Sequence, residues 1–147
     1  MTTPESIILL AQLLSTVYMA GVIWFVQIVH YPLLSAVGAE QFTDYERRHC
    51  NLTSWVVAPG MLVELTSTVA LVIVPDSGVP PGLAWSGLLL VVLIWISTAV
   101  WQMPLHRQLT QRYSVTLINR LVATNWMRTI AWTVRGFLVV LMVWQSA

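Results

Sequence analysis

The chain contains no lysine, a single cysteine and little charge of either sign, with seven basic residues against six acidic ones in 147. The lone Cys50 excludes an intramolecular disulfide and any multi-cysteine zinc or iron–sulfur framework. A net charge of +1 gives no basis for nucleic-acid binding. Polar stretches long enough to build a soluble domain are also missing. Hydrophobic residues make up 57% of the chain and charged residues 9%, and the mean hydropathy is +0.75, all well outside soluble globular usage.

What the chain does have is four apolar runs, at residues 7–34, 52–74, 85–103 and 121–144. Each is long enough to cross a hydrocarbon core of ~30 Å. The expected fold is all-α: an integral membrane four-helix up-and-down bundle forming one domain over 1–147. The N-terminus has no basic segment ahead of its apolar run, so the first span reads as retained rather than as a cleaved signal. Arg47, Arg48, Arg107, Arg112 and Arg120 lie in the connections between spans one and two and between spans three and four, whereas the other side has Glu5 and Asp76 only. The positive-inside rule then places both connections in the cytoplasm and both termini outside it, in a bacterial inner membrane.

Residues 40–51 are polar and free of glycine and proline, with Phe42, Tyr45 and His49 at helical spacing. They predict a short amphipathic helix before the second span. Residues 75–82, with three prolines and two glycines, predict an outward turn. Pro32, Pro59 and Pro104 lie near the arginine-bearing ends of three spans, where helices kink or stop. Pro32 and Pro104 can mark helix ends, whereas Pro59-Gly60 lies inside span two and suggests an opened helix lining a cavity. Trp24, Trp95 and Trp132 are placed deeper than the other five tryptophans, either filling the core or lining a flat cofactor or quinone.

Two charges lie far inside the bilayer. Glu64 is ~18 Å into span two and Arg135 ~21 Å into span four, counted at 1.5 Å per residue. Intramembrane charges face inward and pair, so a Glu64–Arg135 ion pair is expected, with a metal-ligand or proton-relay role for Glu64 as the alternative. Asn125, Arg128, Trp132 and Arg135 share one face of span four, within an arc of about 80°. Such a face should point inward. Its arginines suit a haem propionate or a carboxylate substrate, or equally pairing with Glu64 and Glu46.

All three histidines fall toward the cytoplasmic end. Gln27 and His30 come from span one, Gln102 and His106 from span three, and Glu46-x-x-His49 from the segment before span two. His30, Glu46, His49, Glu64 and His106 make a mixed N/O ligand set for iron, zinc or manganese. His49 and Glu64 are ~22 Å apart along a straight helix, so a five-ligand site needs a sharp break at Pro59-Gly60. A haem needs only His30 and His106 as axial ligands, with Arg128, Arg135, Gln27, Gln102 and Asn125 around it. Alternatively each histidine satisfies a carbonyl freed by a proline. Cys50 reads as incidental.

The stretch Tyr18-Met19-Ala20-Gly21-Val22-Ile23-Trp24-Phe25 followed by His30 resembles the first helix of HemJ-type protoporphyrinogen oxidases, which are small four-helix haem proteins. Tyr45-Glu46-Arg47-Arg48 with Pro59-Gly60-Met61 is similar to an acidic-Arg-Arg…Pro-x-Met segment of that family. The layout also looks like the small four-helix proteins grouped near anthrone oxygenases. The resemblance implies haem binding and oxidation of a porphyrinogen. The chain departs from the family at 9–13, where an early histidine is expected, and in lacking the family's lysine.

The resulting expectation is a small membrane redox protein, holding haem or a non-haem metal near the cytoplasmic face and acting on an apolar or amphipathic substrate or quinone. Alternatives are a non-catalytic accessory subunit of a larger membrane complex and a small transporter acting as a homo-oligomer.

Overall fold

The computed structural model describes residues 3–74 and 78–146. Four long helices account for nearly all of them: α1 (Pro4–Ala36), α2 (Ala39–Ile73), α3 (Pro81–Leu109) and α4 (Val115–Ser146). Each is long and apolar enough to cross a membrane. The shortest has 29 residues, or ~44 Å, so every helix reaches beyond a ~30 Å hydrocarbon core. The links are short. Residues 37–38 join α1 to α2, 110–114 join α3 to α4, and 74–80 join α2 to α3. Links of this length force antiparallel neighbours, giving an up-and-down bundle. Each helix packs on the ones before and after it, and α1 closes the ring against α4.

The outer surface is apolar, with Leu14, Ile28, Leu62, Ile73, Phe137 and Trp144 all exposed. In water such a surface would drive aggregation, whereas against lipid tails it is the natural solvent boundary. The chain is therefore a multi-pass membrane protein. Glycine allows close helix contact at two crossings. A Cβ on Gly60 of α2 would sit 2.8 Å from Met19 Sδ and 3.0 Å from the Tyr18 ring of α1. One on Gly87 of α3 would sit 3.1 Å from Met142 Cε of α4. Small residues at such crossings let backbones approach where no hydrophobic effect drives helices together.

Several boundaries differ from the sequence expectation. Residues 40–51 are helical but continue unbroken into span two, because nothing between Ala39 and Ile73 ends the helix. Pro59-Gly60 does not open α2, and helical structure runs through it. The irregular turns come at the other two prolines. Val26–His30 and Thr98–Gln102 are π-helical turns, closed by Tyr31 N–H donating to Val26 O and Met103 N–H donating to Thr98 O. Each ends two residues before Pro32 or Pro104, whose ring clashes with the carbonyl four residues earlier, inside the turn. A wider turn accommodates that clash, so neither proline ends its helix. The turn expected at 75–82 is shorter, since Pro81 and Gly82 already belong to α3; residues 75–77 lie outside the described residues. Gly78, at φ 73°, takes a left-handed conformation that glycine adopts without strain.

Candidate metal centre

Polar side chains form layers along the bundle axis. The deepest is the expected ion pair: Arg135 Nε donates to Glu64 Oε1 at 2.7 Å, with both side chains 0–1% exposed. Glu64 also accepts from Trp132 Nε1 at 2.9 Å and Thr16 Oγ1 at 3.0 Å. The remaining guanidinium nitrogens donate to Gly87 O and Thr68 Oγ1, each at 2.5 Å. Thr68 and Ser67 in turn contact Gln12 Oε1. A buried ion pair holds only when its other lone pairs and protons are met, and this one meets that condition. Glu64 therefore stands apart from the histidines.

The next layer joins α1 to α4. Asn125 Nδ2 donates to Gln27 Oε1 at 2.9 Å, Thr129 Oγ1 reaches the same oxygen, and Arg128 Nη1 donates to Asn125 Oδ1 at 3.1 Å. The Arg128 guanidinium lies 5.1 Å over the Trp132 ring. Gln102 Nε2 donates to Thr124 Oγ1. Of the three tryptophans expected inside, Trp132 is fully buried and Trp95 half-buried, but Trp24 corrects the expectation. It is 42% exposed, donates to Thr133 and meets Trp126 edge-on at 5.8 Å.

The third layer holds the histidines. Glu46, on the polar early turns of α2, is fully buried, and its Oε1 lies 2.5 Å from His106 Nδ1 of α3. His106 Nε2 lies 2.9 Å from the Tyr31 hydroxyl of α1. His49 Nδ1 lies 2.9 Å from His30 Nε2 and 3.0 Å from Thr53 Oγ1. The His49 ring stacks on His30 at 4.4 Å and lies 5.4 Å from His106. The π turn of Val26–His30 supports this arrangement, turning Gln27 and Tyr31 inward together and leaving His30 half-buried beside them.

Glu46, His49 and His106 each offer a ligand atom, and these atoms lie within 4.8 Å of one another. Ligands ~2.0–2.2 Å from one ion stand roughly 3–4 Å apart, so small side-chain movements bring this set to bonding distance. The surroundings suit such use. Glu46 Oε2 is buried without a hydrogen-bond partner, which is costly for a carboxylate unless a cation answers it. His49 Nδ1 is held by His30 and Thr53, which points its Nε2 as the ligating atom; Tyr31 holds His106 Nε2 and leaves Nδ1 toward Glu46. Contacts of this kind fix the ring and tautomer of ligating histidines.

Glu46, His49 and Cys50 precede the apolar run beginning at Leu52. Burial pushes the Glu46 carboxyl up, but His106, His49 and Cys50 outweigh it and hold it below its ordinary value. Burial, then the nearby His30 and His106, bring His49 down to about 4 against the opposing pull of Glu46. Its imidazole is therefore neutral at physiological pH, the form that binds metals. Burial and Glu46 push the Cys50 thiol up to about 12, so it is not a reactive thiolate.

A cavity of about 470 Å³ opens beside this layer, with His49, His106, Tyr31 and Arg128 in its wall. Apolar side chains, among them Met19, Ile23, Met61 and Trp95, form most of the rest. Its volume is typical of small-molecule sites, which occupy ~300–1,000 Å³.

The structure thus brings His30, Glu46, His49 and His106 together, gathers Gln27, Asn125 and Arg128 in the layer below, and places Gln102 on the cavity wall. Glu64 and Arg135 engage each other instead. Sequence reasoning passed over Tyr31 and Thr53. The signal for Tyr31 was its place between His30 and Pro32; Thr53 lies one helical turn beyond His49, facing the same way. Compared with protein-family models, with curated proteins and with solved structures, the chain has no match in any of the three.

Proposed function

We propose that this protein is a membrane metalloprotein that holds a divalent ion on Glu46, His49 and His106 and acts by redox chemistry on an apolar or amphipathic molecule in the adjoining cavity. The observation that carries it is the convergence of three ligand atoms within 4.8 Å, at a buried carboxylate oxygen with no other partner and beside a cavity. One carboxylate and two imidazoles match the facial ligand set that leaves iron positions open, and suit manganese or zinc as well. A bound ion would supply Lewis acidity and, if iron or manganese, one-electron chemistry.

The chain's own residues do the rest. Glu46 offers the charge and His49 the neutral imidazole, while Tyr31, Thr53 and His30 hold the rings in register. The apolar wall excludes water and admits a substrate from the bilayer. A haem on His30 and His106 is less well supported, because the His49 ring stacks on His30 and lies against His106 between the two. The transporter reading is disfavoured because Glu64 and Arg135 satisfy each other rather than line an open path. The arginine-bearing connections support a reading in which the metal end faces the cytoplasm of a bacterial inner membrane.

The test is an absorption spectrum of detergent-purified protein, oxidised and then reduced, with metal analysis on the same sample. Stoichiometric iron or manganese without a Soret band supports the proposal; a Soret band that shifts on reduction replaces it with the haem reading. A second reading rests on the same geometry. The chain Glu46–His106–Tyr31 could move a proton at the cavity wall without a metal, and a metal-free protein that retains activity would select it.

A further inference from the structure

Arg128 is 5% exposed and makes no ion pair among the described residues. Its contacts are neutral: Asn125 Oδ1 and the face of Trp132. Its Nε has no hydrogen-bond partner. The contrast with Arg135 is direct, since that guanidinium has Glu64. A buried cation without a counter-charge is costly, the more so at membrane depth, and arginines so placed mark ligand sites.

The unmet polar atoms are not scattered. Six buried side-chain atoms among the described residues lack a partner, and three of them, Arg128 Nε, Trp95 Nε1 and Gln102 Oε1, belong to residues lining the 470 Å³ cavity. Around them the wall is Met19, Val22, Ile23, Val57 and Met61. The residues of the wall therefore bring one buried positive charge, unmet donors on Arg128 and Trp95 and an unmet acceptor on Gln102 to an otherwise apolar cavity.

We infer that the cavity binds a single-headed amphiphile whose carboxylate is held by Arg128, with its apolar body against α1, α2 and Trp95. Two donors match the oxygens of a monoanionic carboxylate; a phosphate brings more charge and more acceptors than the buried wall can answer. Arg107, at the exposed rim, adds no buried donor. The inference rests on the cavity of the reading above but not on its metal, so the two can fail separately.

The experiment measures binding of 11-(dansylamino)undecanoic acid, and of the corresponding neutral amide, by tryptophan-to-dansyl energy transfer in detergent. Wild type should bind the acid saturably and about tenfold more tightly than the amide. Arg128→Gln should weaken the acid to the affinity of the amide and so remove that preference, Arg128→Lys should restore part of it, and elution as a single species checks that each variant is folded. Chelator treatment should strip the metal and leave acid affinity within about twofold, because Arg128 lies outside the ligand set. Equal binding of acid and amide, an acid affinity unchanged by Arg128→Gln, or loss of acid binding with the metal would each overturn the inference. Stronger displacement by a single-chain lysophosphatidic acid than by dodecanoate would also overturn it, assigning the arginine to a lipid phosphate.

Discussion

Glu46 Oε1 and His106 Nδ1 meet at 2.5 Å across a sequence separation of 60 residues. The contact ties α2 to α3 where the π turn before Pro104 and the polar first turns of α2 come together. It also fixes the role of Tyr31, whose hydroxyl takes the other nitrogen of the same ring at 2.9 Å.

If Tyr31 orients a ligating histidine, removing its hydroxyl should weaken the metal without removing it. Tyr31→Phe is expected to lower metal affinity by about 10–100-fold, the usual effect of losing an outer partner, whereas His106→Ala should abolish binding. Competition against a chromophoric chelator measures both. An unchanged affinity in Tyr31→Phe would separate Tyr31 from the ligand set.

The Glu64–Arg135 pair makes a different prediction. Both side chains are 0–1% exposed, so truncating one leaves the other buried and unanswered. Arg135→Leu should destabilise the bundle by about 3–5 kcal/mol, and Glu64→Leu combined with Arg135→Met should cost less than the single change. Equilibrium unfolding in mixed detergent micelles reads both; a double variant less stable than Arg135→Leu would contradict a pairing account.

This pair is legible in the sequence because charge at membrane depth has few solutions, and both residues fall at matching depths on spans two and four, which run in the same direction. The gathering of histidines at one end followed from span parity alone. The boundaries were not legible. Proline at 32 and 104 can mark a helix end, yet a single wide turn absorbs each clash, and π turns leave no mark in composition. At Pro59 the pattern suggests an opened helix, whereas α2 runs through it unbroken. Tyr31 was missed since a tyrosine near a membrane interface already has a sufficient explanation as part of the aromatic belt. Trp24 was placed too deep because depth along a helix does not say which face a side chain occupies.

Gly87 lets Arg135 reach its carbonyl, and a Cβ there would stand 3.3 Å from Arg135 Nη1 as well as 3.1 Å from Met142. Gly87→Val is expected to cost about 1–3 kcal/mol through overpacking. Gly136→Ala, with nothing within 4 Å, should leave the thermal midpoint unchanged or slightly raised. Equal midpoints for the two variants would contradict the close crossing.

The arginine distribution predicts orientation. A fluorescent protein fused after Ala147 should be dark, and alkaline phosphatase fused there active, if the C-terminus lies outside the cytoplasm. Fusions between Gln111 and Ser114 should give the opposite result. Matching signals from both fusion points would contradict the topology.

The central claim is tested most directly by titrating cobalt(II) into chelator-treated protein in detergent while recording its visible d–d absorption. The account predicts saturation at about one equivalent per chain, with the bands absent from Glu46→Gln and His106→Ala. A wild-type titration indistinguishable from that of His106→Ala would contradict it.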